Sequence, residues 1–163
     1  MSIRRINEHI ELLRNLASNS TMKHRHACAI IKNDKLFSVG VNKYLNIKQC
    51  KISLHSEIDA MASCKNLKGK DILIIRYSSD NKLRMSKPCV NCLKQIKKNG
   101  IKKVYYSNDD GTFTITTPDK ITPDHFCSMA VHRNNIRNGI VQTKTPPSNK
   151  ETDLYLLRRR RSR

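Results

Sequence analysis

The chain has 163 residues, the size of one globular domain with room for a short appendage, which excludes a large multidomain assembly. Apolar residues make up 37% and charged residues 28%, enough of each for a packed core under a solvated surface rather than a disordered chain. Thirty-two Lys and Arg against 13 Asp and Glu give a formal charge of +19, a field that favours phosphates on a free nucleotide, a polynucleotide or an anionic surface.

Ile6, Ile10, Leu13, Leu16 and Ala17 recur at helical spacing and predict an amphipathic helix ending near Asn19. The apolar runs Ala27 to Lys32 and Leu36 to Val41, separated by the turn signal Asn33-Asp34, predict a hairpin. After a polar stretch through Lys51, Ser53 is placed to cap a second helix. Glu57 and Asp59 lie in its first turns, Ile58, Met61 and Ala62 form its apolar stripe to about Leu67, and Gly69 stops it. Asp71 to Tyr77 carries the unbroken run Ile72-Leu73-Ile74-Ile75, which suits a central strand buried on both faces, and Lys82 to Met85 resumes a strand after a turn. Pro88 reads as the first residue of a third helix that reaches Asn99 and ends at Gly100. Val104, Tyr105 and Tyr106 form a fourth strand. The Asp110-Gly111 turn leads into a fifth at Phe113 to Thr117, so the last two strands should be antiparallel.

Beyond Pro118 the periodicity weakens, with a further helix expected to start over Phe126 to Val131. Thr145-Pro146-Pro147-Ser148 reads as a linker, and residues 144–163 as a flexible basic tail ending in Arg158, Arg159, Arg160, Arg161 and Arg163. Those arginines suit a nucleic-acid-contacting arm, an import signal or a solvated tail. No stretch approaches the roughly 18 consecutive apolar residues of a membrane span, and the first residues are too charged for a secretory signal, so the expected location is intracellular, cytoplasmic or nuclear, with no membrane partner. Six scattered cysteines do not make a disulfide scaffold. In a reducing compartment paired cysteines more often hold metal.

Two pieces carry the chemistry: His55-Ser56-Glu57 at the start of the second helix, and Pro88-Cys89-Val90-Asn91-Cys92 at the start of the third. Cys89 and Cys92 are one helical turn apart, so their sulfurs share a face, and a helix N-terminus favours their thiolate forms. Alone, Cys-x-x-Cys reads as a redox pair, half of a structural zinc site, or chance. With His55 there are three ligands, and an open fourth position is what hydrolytic zinc requires. Glu57 beside a water there would shuttle protons. Cys28, Cys50, Cys64 and Cys127 read as small buried apolar residues, and His24 and His26 as surface or packing residues. Of Tyr105 and Tyr106, adjacent in a strand, one must face the core, which leaves at most one to stack on a base.

H-x-E followed by P-C-x-x-C resembles the signature of the zinc-dependent cytidine and nucleotide deaminase superfamily, over about residues 4 to 127. The resemblance implies an α/β fold, a cytidine-deaminase-like three-layer α/β/α arrangement around a five-stranded mixed sheet, with a catalytic domain over 1–127; the extension over 128–143 and the tail over 144–163 lie outside it. It implies Zn²⁺ bound by His55, Cys89 and Cys92, Glu57 as the catalytic proton carrier, and Asn42, at the end of the second strand, as a contact to the substrate's sugar. Ser86-Lys87 departs from the residues many members place before the proline. The function expected is hydrolytic conversion of cytosine to uracil in a nucleoside or nucleotide, by a homo-oligomer. The antiparallel pairing of the last strands is similar to that of free cytidine deaminases and favours a small substrate. Charge favours the rivals: C-to-U or A-to-I deamination of RNA or single-stranded DNA through the basic surface and tail, or an inactive zinc-stabilised nucleic-acid-binding module.

Overall fold

A computed structural model describes residues 3–47 and 50–124, so expectations for the segment after Asp124, including the helix at Phe126, the domain boundary at 127 and the arginine tail, lie outside the described residues. The chain runs through α1 (Ile3–Ser18), β1 (Arg25–Lys32), β2 (Lys35–Val41), β3 (Lys43–Ile47), β4 (Cys50–Leu54), α2 (Ser56–Ala62), β5 (Asp71–Tyr77), β6 (Leu83–Arg84), α3 (Val90–Lys98), β7 (Lys103–Ser107), β8 (Phe113–Thr116) and a single 3-10 turn at Pro118–Lys120.

The main sheet has the order β2-β1-β5-β7-β8, with β6 pairing at the end of β5. It is mixed: β5 and β7 run parallel, and β1–β2, β1–β5 and β7–β8 are antiparallel. The β1–β2 turn places Asn33 and Asp34 at φ 49° and 63°, the left-handed pair that a two-residue hairpin turn needs. The Asp110-Gly111 turn delivers the expected antiparallel β7–β8 pair, with Gly111 at φ 83°.

Side-chain alternation along the central strands divides the core in two. Ala27, Ala29 and Ile31 of β1 and Leu73 and Ile75 of β5 meet Leu13 and Ala17 of α1 on one face. Cys28, Ile30, Ile72 and Ile74 meet Met61 of α2 and Leu93 and Ile96 of α3 on the other. The result is a helix, sheet, helix sandwich, which explains why β1 and β5 read as continuous apolar runs.

Four local expectations change. The polar stretch before His55 is a second, two-stranded sheet, β3–β4, in which Tyr44 pairs with Ser53 and Leu45 with Ile52. Ser53 therefore belongs to a strand rather than capping a helix, and His55 occupies the cap position of α2 in extended conformation. That helix ends at Ala62 instead of near Leu67, because the chain turns through Ser63 and Cys64, whose N–H groups donate to Ala60 O and Met61 O. Pro88 lies one residue ahead of the α3 cap, which is Cys89 itself.

Candidate active site

The N-termini of α2 and α3 meet on one face of the sheet. The approach of α2 is set by Gly40 of β2: a Cβ there would lie 2.3 Å from both Ala60 N and Ser56 O, so only a bare α-carbon lets this helix lie so close to the strand. Polar contacts then fix its rotation. Ser38 Oγ donates to Ala60 O (2.8 Å), and the buried Asp59 carboxylate accepts from Val41 N (3.2 Å) and Lys43 Nζ (3.3 Å). This presents His55 and Glu57 beyond the end of β2.

Ser86 performs the matching task for α3. Buried at 2% exposure, its hydroxyl donates to Ile74 O (2.8 Å) and accepts from Ser107 N (2.8 Å), tying the strand-to-helix turn to β5 and β7. Its own N–H donates to Ser107 O (2.9 Å). Ser86 is thus a hydrogen-bonded anchor two residues before Pro88.

His55, Cys89 and Cys92 converge as expected, each offering a ligand atom within 4.8 Å of the others. His55 Nδ1 lies 3.8 Å from Cys89 Sγ and 3.4 Å from Cys92 Sγ. For zinc with Zn–N near 2.05 Å and Zn–S near 2.3 Å, a tetrahedral angle requires an N···S separation of about 3.6 Å. The two distances bracket that value, so one nitrogen and two sulfurs fit a tetrahedral ion with one corner left open. Among the described residues no other group of three or more His, Cys, Asp or Glu could hold a metal ion. Burial disfavours the His55 imidazolium, but its hydrogen bond with Cys89 and the nearby charge of Glu57 outweigh this and raise its pKa. The hydrogen bond with Cys89, burial and the Glu57 charge all push the Cys92 thiol well up. The Cys92 thiol is thus less acidic than a free cysteine, against the thiolate form expected at a helix start, and a divalent ion bound there would displace its proton.

Glu57 is buried at 4% exposure beside these ligands, and Ser56 Oγ donates to its Oε2 (3.1 Å). It lines a cleft of about 200 Å³ with His55, Ser56, Met22, Lys23, His24, His26, Asn42 and Tyr44. Asn42 therefore lies at the cleft, at the end of β2. The residues that sequence reasoning passed over are those of the α1–β1 segment. His24 and His26, read as ordinary surface or packing residues, line the cleft. Arg76 Nη2 sits 3.0 Å from His24 Nδ1, and because an arginine only donates, that nitrogen must accept. Burial and the charges of Arg76 and Lys23 push the His24 pKa down accordingly. Tyr105 and Tyr106 are both buried, one in each core, so neither stacks on a base. Cys28 and Cys64 are buried free thiols.

A mixed sheet clad by helices, with a one-histidine, two-cysteine cluster at two helix N-termini and a carboxylate beside it, defines a metal-site α/β protein of the cytidine deaminase type. The chain belongs to the family described as the cytidine and deoxycytidylate deaminase zinc-binding region, whose family model matches residues 4–108. Among solved structures, the chain is similar to cytidine deaminase from Burkholderia pseudomallei (19% identity, 77% of this chain and 100% of that one, TM-score 0.56). It is also similar to dCMP deaminase from the cyanophage S-TIM5, solved in complex with dCMP and dUMP (20% identity, 68% of this chain and 89% of that one, TM-score 0.52). These likenesses establish the fold. No curated protein matches the chain. Among the described residues no helix is long and apolar enough to cross a membrane.

Proposed function

We propose that the protein is a zinc-dependent hydrolase that replaces the 4-amino group of cytosine by oxygen in a nucleoside or nucleotide. The observation that carries this reading is the fit of His55 Nδ1, Cys89 Sγ and Cys92 Sγ to three corners of a tetrahedron, with the buried Glu57 alongside. Zinc held there would supply an acidified water, with a pKa brought towards about 7, as nucleophile at neutral pH.

The chain's own groups do the rest. Glu57 takes one proton from the attacking water and passes it to the ring nitrogen N3; it then takes the remaining proton from the hydroxyl added at C4 and delivers it to the amine, so that the C4–N bond breaks, ammonia leaves and C4 becomes a carbonyl. Ser56 Oγ, donating to Oε2, orients the carboxylate for this traffic. A cleft of about 200 Å³ suits one pyrimidine ring, and Lys23 in its lining supplies a positive charge for a phosphate. The antiparallel β7–β8 pair supports a small substrate.

A second reading, the same chemistry on a base exposed in an RNA or DNA strand, is favoured by the net charge of +19. One panel tests both: purified zinc-loaded protein and Glu57→Ala are incubated with cytidine, dCMP, cytosine-containing oligonucleotides and tRNA, with ammonia release as readout. Release from cytidine or dCMP, abolished in the variant, is the expected result. Release only from polynucleotides moves the substrate to the strand, and release from none refutes the enzyme.

A further inference from the structure

Asn42 is the residue for which the resemblance implies a sugar contact, yet its side-chain amide is already saturated. An asparagine amide has two acceptor sites on oxygen and two donor hydrogens on nitrogen. Oδ1 accepts from Ser20 Oγ (2.7 Å) and from the His26 backbone N–H (2.8 Å). Nδ2 donates to His24 O (2.6 Å) and points its other hydrogen at Met22 Sδ (3.3 Å). The orientation is not interchangeable: flipping the amide would set NH₂ against the His26 N–H and oxygen against the His24 carbonyl. The backbone adds to the grip, with Asn42 N donating to His26 O (3.1 Å) and Ser20 Oγ shared with Asn42 O (2.9 Å). All of this occurs at 7% exposure.

Every one of these bonds ends on the segment from Ser20 to His26, and that segment supplies Met22, Lys23, His24 and His26 to the cleft. We propose that Asn42 is a positioning residue: it acts on the reaction by locking the α1–β1 segment into the wall of the cleft rather than by bonding the substrate's sugar. The inference rests on the deaminase reading for its kinetic consequence, but not for its structural one.

The test compares wild type, Asn42→Ala and Ser20→Ala, all zinc-loaded, on cytidine and on 2′,3′-dideoxycytidine. Ser20 is not among the cleft residues, so its hydroxyl reaches the substrate only through Asn42 and the segment it holds. The expected result is a rise in KM of about tenfold in Asn42→Ala, as several hydrogen bonds are lost together, and a smaller rise in Ser20→Ala. Both rises should be equal for the two sugars, with kcat changed less and zinc content intact. Amide hydrogen exchange across residues 20–26 should quicken in both variants. If the Asn42→Ala penalty disappears on dideoxycytidine, or exchange across 20–26 stays at the wild-type rate, the proposal is overturned. Should wild type release no ammonia from these nucleosides or from the dCMP, oligonucleotides and tRNA of the panel above, the deaminase reading fails while the exchange measurement still decides the clamp.

Discussion

Replacing Gly40 by alanine should dismantle the centre without touching any residue in it. The added Cβ would lie 2.3 Å from Ala60 N and from Ser56 O, and 2.9 Å from Ala60 Cα. Carbon contacts relax at about 3.5 Å or more, so α2 and β2 must separate by roughly 1 Å. The obstructing atoms are backbone, with no rotamer to yield, which places the overpacking cost at the upper end of about 1–3 kcal/mol. The same separation stretches the Ser38 Oγ to Ala60 O and Val41 N to Asp59 contacts, each worth about 1 kcal/mol. A loss of about 3–5 kcal/mol is then expected, a large part of the roughly 5–15 kcal/mol that holds a domain folded. His55 and Glu57 move with the helix, and a misplacement of about 1 Å costs on the order of 100-fold in rate. Denaturant midpoints and zinc stoichiometry of Gly40→Ala, measured against wild type, check this. A variant within about 0.5 kcal/mol of wild type that binds one full equivalent of zinc would refute the reasoning.

Glu57→Gln keeps the shape and the Ser56 contact but cannot carry a proton, so zinc content should be unchanged while kcat falls by about 10²–10⁴, checked by metal analysis beside ammonia release. Cys92→Ser, or exhaustive chelation of wild type, should abolish turnover and lower the melting temperature, because the ion would tie the starts of α2 and α3 together; identical melting curves with and without zinc would contradict that tie. Zinc affinity should fall as pH is lowered. The His55 pKa is raised, so its proton competes with the metal at higher pH than a free imidazole's would, and the raised Cys92 thiol adds a second proton to be displaced. Calorimetric titrations in buffers of different ionisation enthalpy should show proton release on zinc uptake, and a pH-independent affinity would count against the assignment.

The parts of the fold legible in the sequence are those governed by local rules. The Asn33-Asp34 and Asp110-Gly111 turns, the doubly buried run of β5 and the amphipathic α1 each obey a short-range preference that packing then reinforces. The β3–β4 hairpin was not legible, because a stretch carrying Lys43, Asn46, Lys48, Gln49 and Lys51 hides the apolar alternation of Ile52 and Leu54, both buried. The grouping of His55, Cys89 and Cys92 could be anticipated because metal chemistry restricts residue type. The roles of Gly40, Ser86 and the α1–β1 segment depend on which distant backbone comes to lie beside them, and spacing along the chain carries no such information.

The imidazole and the second thiol of the centre stand 37 positions apart in the chain. During synthesis at about 5–20 residues per second, roughly 2–7 seconds pass between their appearances. A nascent chain that ends at α2 offers a cation a single nitrogen and no grip. An ion held by all three donors would therefore be gripped only once the third helix has been delivered to the start of α2.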